Sequence, residues 1–264
     1  MTDSTWNKIC LKHEYSAGLV FYEPDWNSFI KEGQDAHHCR VCRIHIRKTA
    51  GSMAGIFLEQ WFHDITDGPR AHSDYWHTWE QVHRPQLNHP WDFENGFFYT
   101  IVRNPFDWLV SCFFYHKNWH QHYANNFEAF AMDWIEKPEA IPSLGRRNDG
   151  YYRKAHHKNI YTPIFESDQP GARCLVHVII RFERIEEGLN KILEQFGIPF
   201  QKLPIINKTM NKKHDYKYYY NHNSKIKEGL LKKHAAEFEM FGYDFDGPTD
   251  NGVFLNPETL ILKY

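Results

Sequence analysis

Two short segments of the chain place cationic and hydroxyl side chains where a strand should give way to a helix. The first, residues 47–52, reads Arg-Lys-Thr-Ala-Gly-Ser after a β-branched run. Lys48 supplies a full positive charge, and Thr49 and Ser52 supply hydroxyl groups. Gly51 lets the backbone approach a ligand closely. Because the first N–H groups of a helix lack backbone partners and carry partial positive charge, the segment predicts an anion-binding turn.

The second segment joins an apolar run, residues 97–102, to the sequence Arg103-Asn104-Pro105. The apolar run predicts a buried parallel strand. Asn104 can cap a helix and Pro105 suits its first turn. Ser111 lies about two helical turns further on, so its hydroxyl should face the start of the helix. An Arg and a Ser placed in this way can hold one phosphate group together.

The periodicity of the apolar residues predicts the strands and helices that hold these segments. Residues 41–46 and 178–183 predict two further strands beside residues 97–102. A first helix carries Met53, Ile56 and Phe57 at helical spacing. The later two helices have buried stripes consisting of Phe106, Leu109, Val110, Phe113 and Phe114, and of Ile185, Leu189, Ile192, Leu193 and Phe196.

The turn at residues 47–52 does not follow the Walker A pattern. That pattern requires Gly, four residues and then Gly-Lys-Ser/Thr, whereas here Lys48 precedes the only Gly. The order Lys-Thr-x-Gly-Ser resembles the 5′-phosphosulfate loop of sulfotransferases, which use 3′-phosphoadenosine-5′-phosphosulfate (PAPS). Residues 102–111 resemble the 3′-phosphate site of that family, Val-Arg-Asn-Pro-aromatic-Asp-Arg-Leu-Val-Ser, with Trp108 in place of the usual Arg.

The C-terminal half extends the resemblance. Residues 178–183 are similar to the family's Gly-Arg-Phe-Glu strand, with Ile180 where Gly is common. The resemblance covers about residues 43–245 and leaves residues 1–40 and 247–264 uncovered. Three further segments look like the ending of the membrane-type carbohydrate sulfotransferases, the group of the heparan and chondroitin enzymes: residues 207–209, 216–220 and 238–245.

The resemblance implies a set of functional residues. Those expected to bind PAPS, and its product PAP, are Arg47, Lys48, Thr49, Gly51, Ser52, Arg103, Ser111, Lys208, Thr209 and Lys213. Lys48 is also expected to be catalytic, because it can stabilise the charge that develops on the leaving oxygen. His77 is expected to be the general base, because residues 77–82 look like the segment that carries a His in the resembling enzymes, and a neutral His suits this role near neutral pH. His72 is the next candidate, and Glu59 or Glu80 would take the role in a carboxylate-base enzyme. The chemistry requires no metal.

Length and composition fit one enzyme domain, residues 1–264. The resemblance implies that this domain transfers a sulfuryl group to a hydroxyl, which we expect to belong to a carbohydrate. The expected fold is α/β, a P-loop-like three-layer α/β/α sandwich with a central parallel sheet. Aromatic residues make up 17% of the chain and suit stacking on sugars or purines. The net charge of -2 and the lack of a recognised module argue against nucleic-acid binding.

Two features bear on location and metal content. The sequence displays neither a signal peptide nor a transmembrane segment, so we expect a soluble cytoplasmic enzyme without a membrane anchor. An odd number of cysteines, five, fits a reducing compartment.

Cys39 and Cys42, with His37, His38 or His45, could bind zinc. A second Cys pair at matching spacing is missing, which favours structural thiols.

Two other functions remain open at this point. One is a nucleotide or small-molecule kinase on a similar sheet, which the missing Walker A order and the missing Mg²⁺ carboxylate argue against. The other is a non-catalytic protein that binds glycans or nucleotides, which the presence of Lys48, Arg103 and Ser111 together argues against. The acceptor also remains open, because the aromatic and basic residues of the chain would suit acidic glycans, steroids or phenols as well as sugars.

Overall fold

The computed structural model has a mixed α/β fold. It describes residues 10–14, 20–24, 40–44, 46, 48–58, 60–62, 96–115, 121–141, 161, 164–165, 171–174, 176–204, 212, 214–221 and 223–260 of the chain. The strands are β1 (Cys10–Glu14), β2 (Val20–Pro24), β3 (Arg40–Arg43), β4 (Gly96–Val102), β5 (Val178–Arg181) and β6 (Phe254–Leu255). The α-helices are α1 (Gly51–Leu58), α2 (Pro105–Tyr115), α3 (Phe127–Glu136), α4 (Ile185–Glu194), α5 (Ser224–Lys233) and α6 (Ala235–Phe241). Short 3₁₀ helices span Pro138–Ala140, Phe182–Arg184, Tyr216–Tyr220 and Pro257–Thr259.

The larger sheet has the strand order β3-β4-β5-β6. Strands β3, β4 and β5 are parallel, as the sequence predicts, but β6 runs antiparallel to β5. Among the described strands, β6 therefore adds an antiparallel edge to the three parallel strands, and the sheet is mixed. The physical reason lies in Arg181, whose backbone N–H donates to Val253 and whose Nη1 donates to the Gly252 carbonyl, both at 3.2 Å. These bonds hold the returning chain against β5. Strands β1 and β2 form a separate antiparallel hairpin.

The chain divides into two compact units. The sheet unit comprises Met1–Val102, Pro163–Ile206 and Asn251–Lys263. The helical unit comprises Arg103–Thr162 and Asn207–Asp250, with Tyr264. The sheet unit therefore holds all the described strands with α1 and α4, and the helical unit holds α2, α3, α5 and α6. A single domain over residues 1–264 stays a prediction.

The core of the sheet unit forms where α1 and α4 bury apolar side chains with the strands. On α4, the expected stripe is buried at Ile185, Leu189, Ile192 and Leu193. On α1, the buried side chains are Ala54, Phe57 and Leu58, whereas Ile56 is 44% exposed. The helical spacing of the sequence thus located α1 but did not identify its buried face fully.

The close approach of α4 to β5 depends on Gly188. A Cβ atom at this position would lie 2.5 Å from Cγ2 of Ile180, so the site leaves no room for a side chain. Ile180 is the residue that stands where the resembling family commonly has Gly. The extra volume on the strand is therefore matched by the missing side chain on the helix.

The core of the helical unit is aromatic. Trp108 is 1% exposed and packs edge-on against Trp134, with ring centroids 5.6 Å apart. Phe106 lies edge-on to Tyr220 at 5.0 Å. Trp108 replaces the Arg of the family pattern, and it serves here as a core residue.

In the described part of the chain, none of the helices has both the length and the apolar character needed to cross a bilayer.

A buried histidine should make the sheet unit sensitive to acid. Nδ1 of the His177 ring accepts from the backbone N–H of Phe98 at 2.9 Å, and the backbone N–H of His177 donates to the Phe98 carbonyl at 2.8 Å. Burial lowers the pKa of His177 to about 3. The unfolded chain binds a proton at this side chain below about pH 6.5 and the native chain does not. As the pH decreases from about 6.5 to about 3, the free energy of unfolding should therefore fall by about 1.4 kcal/mol per pH unit.

Urea unfolding at pH 7 and pH 5 checks this expectation, with His177→Asn as the matched variant. The Asn carbonyl oxygen can still accept from the Phe98 N–H but does not titrate. Between the two pH values, the wild type should lose about 2 kcal/mol more than the variant. Equal losses in the two proteins would contradict a neutral buried His177.

Candidate functional site

The turn after β3 has an unusual backbone. Lys48 and Ala50 both adopt the left-handed region, with φ of 62° and 64°, although neither is glycine. Such conformations cost roughly 1–3 kcal/mol each and occur often at ligand sites. Backbone N–H groups in alternating right- and left-handed conformations can form a concave anion site. Lys48 is half-buried, and α1 begins directly after Ala50, whose carbonyl accepts from the Met53 and Ala54 N–H groups.

Two side chains close this turn. The Thr49 hydroxyl donates to the Ile46 carbonyl at 2.6 Å, and the residue is 1% exposed. Nη1 of the buried Arg43, the last residue of β3, donates to the Gly51 carbonyl. The hydroxyl hydrogen of Thr49 is thus used inside the turn, which differs from the donor role that the sequence predicts for it. Sequence reasoning missed Arg43, although a charged residue within an apolar strand was an available signal.

Arg103 is held by a carboxylate on the following helix. Its Nε donates to Oδ2 of Asp107 at 2.8 Å, and its Nη2 lies 2.6 Å from the same oxygen. The ammonium of Lys212 lies 2.7 Å from the other oxygen, Oδ1. Arg103 is 8% exposed and Asp107 7%. The sequence identifies Arg103 as a candidate but does not predict these two partners.

The ionisation of Asp107 follows from this arrangement. Burial by itself would raise the pKa of Asp107, but the charges of Arg103 and Lys212 and their hydrogen bonds outweigh it and leave that pKa below its ordinary value. The carboxylate is therefore ionised near neutral pH. Arg103 and Lys212 thus share this carboxylate.

The backbone beside Arg103 is fixed from both sides. Oδ1 of Asn104 accepts from the Phe106 N–H at 3.0 Å, which confirms the predicted cap of α2. Nδ2 of Asn104 donates to the Asp244 carbonyl at 2.7 Å. The Tyr161 hydroxyl donates to the Arg103 carbonyl at 2.8 Å and accepts from the Arg103 N–H at 3.2 Å. Tyr161 was not identified from the sequence, because no local pattern links it to a residue 58 positions away.

Ser111 lies on α2 and is 1% exposed. It follows Asp107 by four residues, and residues at this spacing lie on the same side of a helix. The structure therefore places the predicted Ser on the helical side that carries the carboxylate bound to Arg103. A cationic group and a hydroxyl in this arrangement suit a phosphate monoester.

The predicted site residues thus fall into three groups. Lys48, Thr49 and Gly51 come together in the turn, and the backbone of Ser52 belongs to the first turn of α1. Arg103 and Ser111 belong to the helical unit. The residues outside the described part of the chain are Arg47, His77, Lys208, Thr209 and Lys213.

The possible zinc site lies largely outside the described residues as well. His37, His38, Cys39 and His45 are not described, and Cys42 is described only as part of the β3 backbone. Where the structure does describe side chains, no group of three His, Cys, Asp or Glu residues could hold a metal ion. Within the same part of the chain, Cys112 and Cys174 are not joined in disulfide bonds.

No family model, no curated protein and no solved structure matches this chain. The resemblance to sulfotransferases therefore rests on the motif residues of the sequence alone.

Proposed function

We propose that this chain is a PAPS-dependent sulfotransferase that transfers the sulfuryl group to a hydroxyl of a carbohydrate acceptor. The observation that supports this most is the order of the two motifs on the sheet. β3 and β4 are neighbouring parallel strands. The Lys48 turn follows the carboxyl end of β3, and Arg103 follows that of β4. Ligands of such sheets bind beyond the carboxyl ends of the strands.

Each of the two segments has a separate task in this function. The turn and the N-terminus of α1 bind the phosphosulfate, with Lys48 beside the oxygen that bridges sulfur and phosphorus. Arg103 and Ser111 bind the 3′-phosphate of the same donor. The acceptor oxygen forms a bond to sulfur while the bridging S–O bond breaks and PAP leaves. His77 takes the proton of the acceptor hydroxyl.

We assign the chain to a P-loop-like three-layer α/β/α sandwich, with the parallel strands β3, β4 and β5 as support. The proposed location is the cytoplasm, where the thiols of Cys112 and Cys174 would stay reduced.

Transfer of labelled sulfate tests the function. The full chain is incubated with sulfur-labelled PAPS, a panel of glycans and phenols, and EDTA. The proposal expects label on a carbohydrate without Mg²⁺. Transfer from ATP that requires Mg²⁺ would instead identify a kinase. PAP binding without transfer to any acceptor would identify a non-catalytic binding protein.

Donor selectivity should depend on Arg103. Arg103→Ala removes a charge-assisted contact worth about 1.5–3 kcal/mol, so PAPS affinity should fall roughly ten- to hundredfold. Adenosine phosphosulfate lacks the 3′-phosphate, and its affinity should change little. Calorimetry with both donors measures the difference.

The matched control for Arg103 is Arg184→Ala. Nε of Arg184 donates to Oε2 of Glu187 at 2.9 Å, so it is also an Arg paired with a carboxylate close in sequence. Its removal should leave the selectivity between the two donors unchanged. Unchanged selectivity in Arg103→Ala as well would show that another site reads the 3′-phosphate.

A further inference from the structure

Arg43 connects strand β3 to the start of helix α1 across the turn. It is the last residue of β3 and is 8% exposed. Its Nη1 donates to the carbonyl of Gly51, which is the first residue of α1 and lies eight positions later in the chain. The guanidinium therefore ties the far end of the turn to the strand from which the turn starts.

The strand end that carries Arg43 is itself fixed to the neighbouring strand. The Ile44 N–H donates to the Tyr99 carbonyl at 2.9 Å, and the Thr100 hydroxyl donates to the Ile44 carbonyl at 2.8 Å. Both bonds join the chain next to Arg43 to β4. Because Arg43 extends from a fixed point, its bond to Gly51 can hold the turn in one position relative to the sheet.

The turn between these two points needs such support. Lys48 and Ala50 lie in the left-handed region, which is unfavourable for residues that carry a Cβ atom. Such residues keep this conformation only where the surrounding contacts impose it. The bond from the Thr49 hydroxyl to the Ile46 carbonyl acts inside the turn, whereas the bond from Arg43 acts between the turn and the strand. Arg43 is therefore placed to impose the left-handed backbone from outside the turn.

We infer that Arg43 is a positioning residue for the phosphosulfate. It holds the turn in the backbone conformation that directs the N–H groups of the turn and the side chain of Lys48 towards this group. The inference rests on the proposed function. It adds a residue that lies before the motif at residues 47–52 and to which the resemblance gives no role.

Calorimetry of the full chain with two fragments of the donor measures this role. In the proposed function, adenosine 5′-phosphosulfate binds through the turn, and adenosine 3′-phosphate binds through Arg103 and Ser111. Arg43→Met should weaken binding of the first fragment about tenfold or more, the equivalent of one hydrogen bond to a charged group, and change binding of the second less than about twofold. Arg43→Lys keeps a cationic donor and should retain most of the affinity for adenosine 5′-phosphosulfate.

A second substitution separates this role from a general loss of stability. Ala50→Gly allows the left-handed conformation without the penalty of a Cβ atom. In the Arg43→Met chain, it should therefore recover about fivefold in affinity for adenosine 5′-phosphosulfate. In the wild type, Arg43 already imposes the conformation, so the same change should alter this affinity less than about twofold.

The matched control is Arg181→Met. Arg181 is the last residue of β5, is 1% exposed and donates through Nη1 to the Gly252 carbonyl at 3.2 Å. It is thus another buried Arg at a strand end of the sheet unit, but it bonds to the returning chain. Its removal should not change the ratio of the two affinities, and Ala50→Gly should not improve the variant. Thermal unfolding verifies the fold of each variant, and Arg43→Gln replaces Arg43→Met if the latter fails to fold.

Four results would overturn the inference. Wild-type affinity for adenosine 5′-phosphosulfate in Arg43→Met would leave Arg43 without a role in the site. Equal weakening of both fragments, or a loss that Ala50→Gly does not recover, would make Arg43 a residue of general stability. A wild-type chain that binds neither fragment would reject the proposed function together with the inference, whereas the other three results leave the proposed function standing.

Discussion

Replacing Lys48 with alanine should lower the rate of sulfuryl transfer by about a hundredfold or more, and donor affinity should fall less. The bridging oxygen gains negative charge as the S–O bond breaks, so the ammonium is worth more in the transition state than in the bound ground state. The magnitude corresponds to removing one donor from an oxyanion site. Single-turnover rates with labelled PAPS measure it.

The backbone of the turn makes the controls for Lys48 informative. Lys48 has φ of 62°, and alanine carries the same Cβ penalty in that conformation, so Lys48→Ala changes the charge without relieving strain. Lys48→Arg keeps the charge and should retain more activity than Lys48→Ala. Ala50→Gly relieves the left-handed strain at the neighbouring position, where φ is 64°, and should leave the rate near that of the wild type. A near-normal rate in Lys48→Ala would remove Lys48 from the catalytic role.

The elements that the sequence predicted well depend on neighbouring residues. The cap at Asn104, the apolar run of β4 and the stripe of α4 are each encoded within about a dozen residues, where propensity and periodicity act directly. The structure reproduces these three elements. Ile180 was visible as a departure from the family pattern, but its compensation at Gly188 is a contact between a strand and a helix.

The features that the sequence did not predict join residues that are distant along the chain. Lys212 and Asp107 are 105 positions apart, and Tyr161 and Arg103 are 58 apart. The antiparallel direction of β6 depends on bonds from Arg181 to the returning chain. No periodicity encodes such pairs, because their partners are chosen by tertiary packing. Thr49 shows the same limit over a short distance. The sequence indicates that a hydroxyl is present at this position, but not that it donates to the Ile46 carbonyl.

Replacing His77 with alanine should abolish transfer and leave PAP binding intact. His77 lies outside the described residues, so this expectation comes from the resemblance of residues 77–82 to the base segment of the family. A base contacts the acceptor hydroxyl and not the donor, so donor affinity should be unaffected. Removing the base leaves no group to take the proton as the acceptor attacks.

The pH dependence of the wild type supplies an independent measurement. The rate should rise with pH through the ordinary pKa of histidine, about 6.5, because only the neutral ring can accept the proton. His72→Ala is the matched control and should keep most of the activity. An active His77→Ala together with an inactive His72→Ala or Glu59→Gln would move the base to another residue of the same connection. The donor assignments at Lys48 and Arg103 would survive that result, because they depend on separate residues and separate contacts.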